Sequence, residues 1–367
     1  MNGHRIIKFK ITNFRNINSN MINLSDNINC LLGKNGNGKT NLLEAIHFIA
    51  NNKSFRKNTG FPQILSMDSG KSEILFSMVI KDNQNNLSNY SGKWAPSAIQ
   101  YFYEGKFRKK RLNINTVFIN PFDSFLFHNN ASFRREWFDN HIVNISQNYK
   151  KLLKQFNRIL KQRNFLLKNK PYQYLEQIRA IDLTFSEVIK EIYIHKTDFM
   201  RDLNDFCDQI FKKIFCESHT LEIDFDRSFQ EKNSNEIYNA LQSKLVSDLE
   251  NGHTSKGPHR DDFVLLFDGL NSYEFCSLGQ QKMAYLSLLF AYIELFRYKF
   301  KTFPIVLIDD VSGELDKHRL EKLIRYLEKK HFQVLITTAN EQFMEGLESI
   351  NNANKLLVNN GEIVNKK

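Results

Sequence analysis

Three short stretches hold residue types at spacings that could do chemistry. The first is Gly33-Lys34-Asn35-Gly36-Asn37-Gly38-Lys39-Thr40, which reads G-x-x-x-x-G-K-T. In that pattern the glycines let backbone N–H groups turn inward around phosphate oxygens, the lysine reaches the β and γ phosphates, and the hydroxyl ligates Mg²⁺. Lys39 and Thr40 take those two roles, and Gly33 to Gly38 form the cradle. The second stretch is Ile305-Val306-Leu307-Ile308-Asp309-Asp310, four apolar residues ending in two acids. A buried strand of this kind delivers a carboxylate to the Mg²⁺ shell, here Asp309, and Asp310 is placed to polarise an attacking water. The third is Ser277-Leu278-Gly279-Gln280-Gln281 ahead of a helical pattern. A serine and a glycine at a helix start leave N–H groups and a hydroxyl for a phosphate oxygen, although an ordinary N-cap has the same appearance.

The elements that must position these residues are visible around them. Ile28 to Leu32 is apolar enough for an inner strand, and Leu42, Leu43, Ala45, Ile46 and Ile49 recur at helical spacing after Thr40. Strand, loop and helix are the setting the glycine motif requires. Arg5 to Thr12 alternates as a half-buried strand, Glu73 to Lys81 reads as a strand, and Ala98 to Ile114 reads as a hairpin turning at Glu104-Gly105. Between about Ser132 and Leu249 glycine is absent and Pro171 is the one proline. Tyr149 to Lys168 and Ile178 to Ile214 carry helical periodicity there, with no sustained heptads. Short strands are expected at Phe263 to Phe267 and Tyr273 to Cys276, a helix at Gln280 to Phe296, a helix at Asp316 to Lys330, an inner strand at Gln333 to Thr338 and a hairpin at Lys355 to Val364. Strand-helix alternation at both ends around a helical insert predicts an α/β fold whose sheet is built from discontinuous halves. The expected division is 1–125 with 250–367 as one head, and 126–249 as the helical insert.

Composition sets bounds on this reading. The chain has 367 residues with Lys+Arg 51 against Asp+Glu 40, a formal net charge of +11. That surplus favours a polyanionic partner such as DNA. Cys30, Cys207, Cys216 and Cys276 have no C-x-x-C spacing, which fits a reduced, cytoplasmic setting. The N-terminus runs straight into a strand pattern and the apolar runs are short, so neither a signal peptide nor a membrane span is expected. Lys106, Arg108, Lys109, Lys110 and Arg111 on a hairpin strand, and Lys150, Lys151, Lys154, Arg158, Lys161 and Arg163 on a helix, are the candidate DNA phosphate contacts.

Taken together in order, Asn13-Phe14-Arg15-Asn16, Gly33 to Thr40, Leu160-Lys161-Gln162-Arg163-Asn164, Gly257-Pro258-His259-Arg260-Asp261-Asp262, Gly279-Gln280-Gln281 and Asp309-Asp310-Val311 resemble the RecF family of bacterial recombination-repair ATPases. The resemblance runs the length of the chain. It implies an ABC-type ATPase head, a mixed sheet with a phosphate-loop helix, plus an inserted helical lobe II without long coiled coils. It also implies binding of ATP and Mg²⁺, an ATP-dependent homodimer, DNA binding, and slow hydrolysis used as a switch. RecO-like and RecR-like partners, and through them RecA loading and the SOS response, follow from the same resemblance. In that arrangement Ser277, Gly279 and Gln280 of one protomer would meet the γ-phosphate held by Lys39 of the other. The chain departs from the family pattern at Phe122, where glutamate is usual, at Leu278, where a polar residue is usual, and at Gly313 beside Ser312, where serine is usual. No histidine follows Thr337-Thr338. The rival readings are an SMC-like clamp with negligible turnover, a transporter ATP-binding subunit, and a scaffold with a dead nucleotide site. The long basic insert argues against the transporter subunit.

Overall fold

The computed structural model describes residues 3–17, 20–56, 59–66, 72–120, 123–215, 218–231, 233–310, 317–329, 332–338, 345, 347, 350 and 353–365. Phe122, Val311, Ser312, Gly313, Glu314, Leu315, Asp316 and the position after Thr338 lie outside the described residues. The chain forms two compact units. The first is Met1–Ser124, Lys213–Phe215 and Ile293–Lys367, and the second is Phe125–Lys212 and Cys216–Tyr292.

In chain order the first unit begins with β1 (Arg5–Thr12), β2 (Ile22–Asn23), β3 (Ile28–Leu32), α1 (Lys39–Asn51), α2 (Phe61–Ile64), β4 (Ile74–Lys81), β5 (Leu87–Ala95), β6 (Ala98–Tyr103), β7 (Lys106–Arg108) and β8 (Thr116–Ile119). The chain then builds α3 (Asp123–Asn129), α4 (Ala131–Ile145), α5 (Gln147–Asn169), α6 (Tyr174–Ile214), β9 (Leu221–Asp226), α7 (Ser234–Ser243), α8 (Leu245–Asn251), β10 (Asp262–Phe267), β11 (Leu270–Asn271), α9 (Ser272–Phe275) and α10 (Leu278–Phe300). It closes with β12 (Ile305–Ile308), α11 (Lys317–Glu328), β13 (Val334–Thr338), β14 (Asn354–Asn359) and β15 (Glu362–Asn365).

The first unit holds two sheets. One has the order β15-β14-β3-β13-β12-β8. Its five strands from β14 to β8 run parallel, and β15 is antiparallel at the edge. Every residue of β3, β12 and β13 is buried. Burial on both faces is why these strands read as unbroken apolar runs. The other sheet, β2-β1-β4-β5-β6-β7, is antiparallel throughout and shows the buried-exposed alternation of a one-sided sheet. Helix α1 packs in the core both sheets share, with Leu42, Leu43, Ala45, Ile46 and Ile49 buried. Each buried Leu or Ile contributes roughly 1.5–3 kcal/mol. Glycine in place of the best N-cap residues costs only a few tenths of a kcal/mol. Packing therefore fixes where α1 starts, and Gly38 is free to serve the loop.

Strand β5 was not legible as a strand. Its sequence, Leu-Ser-Asn-Tyr-Ser-Gly-Lys-Trp-Ala, is polar, yet Tyr90, Gly92 and Trp94 face inward. Gly92 is required because a Cβ there would lie 2.3 Å from the Phe76 ring and 2.8 Å from the Gln100 carbonyl oxygen.

The second unit is mostly helical, with a small sheet β11-β10-β9. Residues 250–292, expected in the head, cluster with this second compact unit. The reason is pairing: β10 runs antiparallel to β9 along its whole length, so the segment after the helices folds back onto the insert. Tyr273–Cys276 was expected as a strand and is mainly the short helix α9. The Asn271 side chain accepts from Tyr273 N at 3.0 Å and Cys276 N donates to Ser272 O at 3.2 Å, which closes a helical turn. Among the described residues no helix is long and apolar enough to cross a membrane.

Candidate nucleotide site

Strand β3 lies between β13 and β14 in the parallel sheet, so its C-terminal end opens on the sheet's carboxyl edge. There the chain turns through Gly33, Gly36 and Gly38, all at positive φ (150°, 82° and 105°). Gly36 has open space around it, so its backbone conformation is what demands glycine. Gly33 also passes too close to the Val358 carbonyl for any side chain, since a Cβ would lie 2.3 Å from that oxygen. Lys34, Asn35 and Gly36 are exposed at the rim. Asn37 is tied down, with Nδ2 donating to Val358 O at 3.1 Å and its carbonyl accepting from Gly361 N at 2.9 Å. The first turn of α1 holds no acid, and Gly38 carries no side chain that could cap it. Its leading N–H groups and the helix dipole are therefore available to an anion.

Lys39 is buried, and its Nζ donates to Gly33 O at 2.6 Å and Lys34 O at 2.9 Å. Burial lowers its pKa from the ordinary lysine value, against the pull of Asp310 and Asp309. The Thr40 hydroxyl donates to Asp309 Oδ1 at 2.9 Å, and the Thr337 hydroxyl donates to the same oxygen at 2.7 Å. Asp310 N donates to Thr337 Oγ1 at 3.0 Å, so one β13 side chain holds both acids that follow β12. Asp310 itself sits at φ 39°, a left-handed conformation that aspartate adopts more readily than most residues. Burial raises the Asp309 pKa, and the Asp310 charge raises it further. The Thr337 and Thr40 hydroxyls and the Arg56 charge oppose the shift. Thr40 and Asp309 thus present a hydroxyl and a carboxylate oxygen side by side, a hard-oxygen pair that suits Mg²⁺.

Behind this surface is a network that sequence reasoning did not assign. Glu44 on α1 is fully buried and takes two bonds from Arg15, from Nε and Nη2, both at 2.8 Å. It also accepts from Ser54 Oγ at 2.5 Å and pairs with Arg56 at 3.2 Å. Arg56 Nη2 reaches Asn41 Oδ1 at 2.8 Å, and Asn41 Nδ2 donates to Asn16 Oδ1 at 2.7 Å. The Asn13-to-Asn16 loop and the Ser54-to-Arg56 segment are therefore latched to the phosphate-loop helix, with Arg56 close enough to act on Asp309. The one signal in the sequence was Glu44 on the otherwise apolar face of α1.

Ser277, Gly279 and Gln280 lie in the second unit at the start of α10. Ser277 Oγ accepts from Gln280 N at 3.3 Å, and Gln280 Oε1 accepts from Ser277 N at 2.9 Å. This reciprocal capping box fixes the helix start. Ser277 remains exposed, and so do Tyr273, Phe275 and Leu278 around it.

Of the six basic positions expected on one helix face, Lys150, Lys151, Lys154, Arg158 and Lys161 of α5 are exposed. Arg163 is not. It is fully buried, bonded to Asp182 at 2.8 Å, Asp248 at 2.7 Å and Thr254 at 2.9 Å. Within the Gly257-to-Asp262 string, Gly257, Pro258 and Asp261 are buried, His259 and Asp262 are partly buried, and Arg260 is exposed. Asp261 is fully buried and accepts from Tyr193 and Ser228 N and pairs with Lys196, while Asp262 forms a two-bond pair with Arg134.

The family described as "RecF/RecN/SMC N terminal domain" matches residues 5–360. A protein of Streptococcus agalactiae serotype V, "DNA replication and repair protein RecF", is 31% identical over 355 residues, covering 93% of both chains. A protein of the same description from Streptococcus thermophilus is 29% identical over 382 residues, covering 98% of both. Among solved structures, the recombination mediator protein RecF-ATP in the RecFOR pathway superposes with TM-score 0.82 at 24% identity, covering 100% of both chains. An SMC head bound to the C-terminal winged-helix domain of ScpA gives TM-score 0.60 at 12% identity, covering 99% of this chain and 98% of that one.

Proposed function

Because this chain belongs to the RecF family, we propose that it is an ATP-dependent DNA-binding protein of recombinational repair and replication restart. ATP binding would drive it from monomer to a two-fold dimer, and slow, DNA-stimulated hydrolysis would release it. The observation that carries this reading is the convergence of Thr40 Oγ1 and Asp309 Oδ1, at 2.9 Å, beside the loop that holds Lys39. The chain's first and last thirds meet there, which supports a Mg²⁺-nucleotide site.

Bound Mg²⁺ would supply the charge that offsets negative charge developing on the transferred phosphoryl oxygens. The rest falls to side chains. The loop N–H groups and Lys39 Nζ bind and orient the β and γ phosphates. Thr40 and Asp309 would hold the metal, and Thr337 keeps Asp309 aimed. Asp310 accepts the hydrogen bond of the attacking water. Ser277, Gly279 and Gln280 complete the site from the partner protomer. The exposed Tyr273, Phe275 and Leu278 beside Ser277 support an interface there, because single exposed apolar residues are ordinary but three around a polar motif mark a surface to be covered.

The lobe division suits this function. By family resemblance, residues 1–125 and 250–367 would form the ATPase head and 126–249 lobe II, with 250–292 clustering in the second compact unit. RecO-like and RecR-like partners, RecA loading, the SOS response and a cytoplasmic location belong to the same proposal. The test is sedimentation of Asp310→Asn protein with and without ATP and Mg²⁺. A dimer is expected only with both, and should vanish on adding Lys39→Ala or Ser277→Arg. A protein that binds ATP and stays monomeric would refute the composite-site reading. An SMC-like clamp with negligible turnover would dimerise in the same way, and only the ATPase rate with DNA separates it.

A further inference from the structure

The antiparallel sheet of the first unit ends at β7, whose three residues, Lys106, Phe107 and Arg108, are all exposed. Lys109 and Lys110 follow, also exposed, and then Arg111. None of these five cations pairs with a carboxylate among the described residues. Short, charged edge strands commonly guard a sheet against pairing with another chain. Lysine and arginine suffice for that task, and an exposed phenylalanine works against it. Phe107 is 63% exposed all the same. It stands opposite Phe102 in the ladder, and the two rings meet edge to face with centroids 6.1 Å apart.

The hairpin is held in place before any ligand arrives. Glu104 and Gly105 turn it at φ 49° and 71°, the signs of the tight turn that matches strand twist. Glu104 N donates to Asn89 O at 2.9 Å and the Tyr103 hydroxyl donates to Ser88 Oγ at 2.9 Å. The Arg108 guanidinium lies 5.2 Å from the Tyr103 ring centroid. A rigid aromatic platform beside a row of unpaired cations is the composition that binds single-stranded nucleic acid, with bases stacking on the rings and phosphates meeting the cations. Preorganisation of this kind reduces the ordering cost of binding.

We propose that the β6–β7 hairpin stacks an unpaired DNA base on Phe107, supported by Phe102, while Lys106, Arg108, Lys109 and Lys110 hold the flanking phosphates. The contact needs an unpaired base, so gapped DNA would engage it and continuous duplex would not. This rests on the DNA-binding reading above and assigns the single-strand contact within it.

The test compares wild type, Phe107→Ala and Phe107→Trp in ATP and Mg²⁺ at fixed salt. Binding is measured by fluorescence anisotropy on a blunt duplex and on a gapped duplex of equal length. A second gapped duplex carries 2-aminopurine as its first unpaired base. Phe107→Ala should weaken gapped-DNA binding roughly 10-fold or more, leave duplex binding within about 2-fold, and lose the 2-aminopurine quench. Phe107→Trp should retain both. The side chain is exposed, so an unchanged melting temperature is expected and checked. Unchanged gapped-DNA affinity in Phe107→Ala, or an equal loss on both DNAs, overturns the inference. The rings would then be left for a protein partner, with duplex binding by the same samples still supporting the broader reading. Wild type that binds neither DNA sinks that broader reading instead.

Discussion

The Thr40 hydroxyl donates to the Asp309 carboxylate across 2.9 Å, joining residues 269 positions apart. These are the two protein groups expected to share Mg²⁺, and they meet at the ends of α1 and β12 by way of buried parallel strands. Thr40→Ala should abolish the Mg²⁺-dependent part of ATP binding with little change in fold. Asp309→Asn should do the same and also raise the melting temperature of the ligand-free protein by about 1–3 °C, because it removes a buried carboxylate kept there for function. Thermal shift with and without MgATP checks both. A MgATP-induced rise in Asp309→Asn as large as in wild type would count against the assignment.

The same carboxyl predicts a pH dependence. Burial raises its folded pKa above 3.8, and a group with a raised folded pKa favours the native state below its unfolded pKa. That contribution is lost as pH rises through the folded value. Mg²⁺ needs the ionised form, so acidification through the raised folded pKa should weaken MgATP binding while the ligand-free protein gains from Asp309. Calorimetric titration of ATP with Mg²⁺ across that pKa should show a protonation-linked loss in wild type. Asp309→Asn should lack it. An affinity that is flat with pH in wild type would rule out Asp309 as the ligand.

Gly361 touches no expected ligand, yet it backs the phosphate loop. Its N–H holds Asn37 O at 2.9 Å, its φ is 83°, and a Cβ would fall 1.7 Å from the Asn16 carbonyl oxygen. Gly361→Ala must push the Asn13-to-Asn16 loop or the β14–β15 turn away. We expect at least a several-fold loss of ATP affinity with a destabilisation of about 1–3 kcal/mol. Nucleotide binding and denaturant unfolding, measured on one sample, separate the two effects. Wild-type ATP affinity in a folded Gly361→Ala protein would show that the hairpin does not support the loop.

The glycine-rich turn, the strand ending in acids and the inner strands were legible because each depends on a local rule: glycine at positive φ, an apolar run buried on both faces, an acid at its end. What escaped depends on partners far along the chain. Thr337 reads as a strand residue until β13 places it between Asp309 and Asp310. Glu44 reads as a helix-face charge until Arg15 and Arg56 close on it. Residues 250–292 pair back through β10 onto β9, a strand hidden in a helical texture, and so cluster with the second unit. Arg163 reads as one more cation on a basic face because its two aspartates lie 19 and 85 positions away.

That last case makes a sharp contrast between neighbouring cations of one helix. Arg163 is enclosed with Asp182 and Asp248, each fully or almost fully buried. Removing one partner of a buried ion network leaves the other charges uncompensated, typically at about 3–5 kcal/mol. Arg163→Ala should therefore unfold at clearly lower denaturant, and any loss of DNA binding should track the unfolded fraction. Lys150, Lys151, Lys154 and Arg158, earlier on the same helix, face solvent. Reversing those four should leave unfolding nearly unchanged and weaken DNA binding. If all four meet phosphates, the slope of log affinity against log salt should fall by roughly 4. Denaturant melts and a salt series on duplex DNA for both variants decide the matter. A four-charge reversal that leaves duplex affinity unchanged at low salt would remove α5 from the DNA surface, whereas a folded, stable Arg163→Ala with impaired DNA binding would return Arg163 to it.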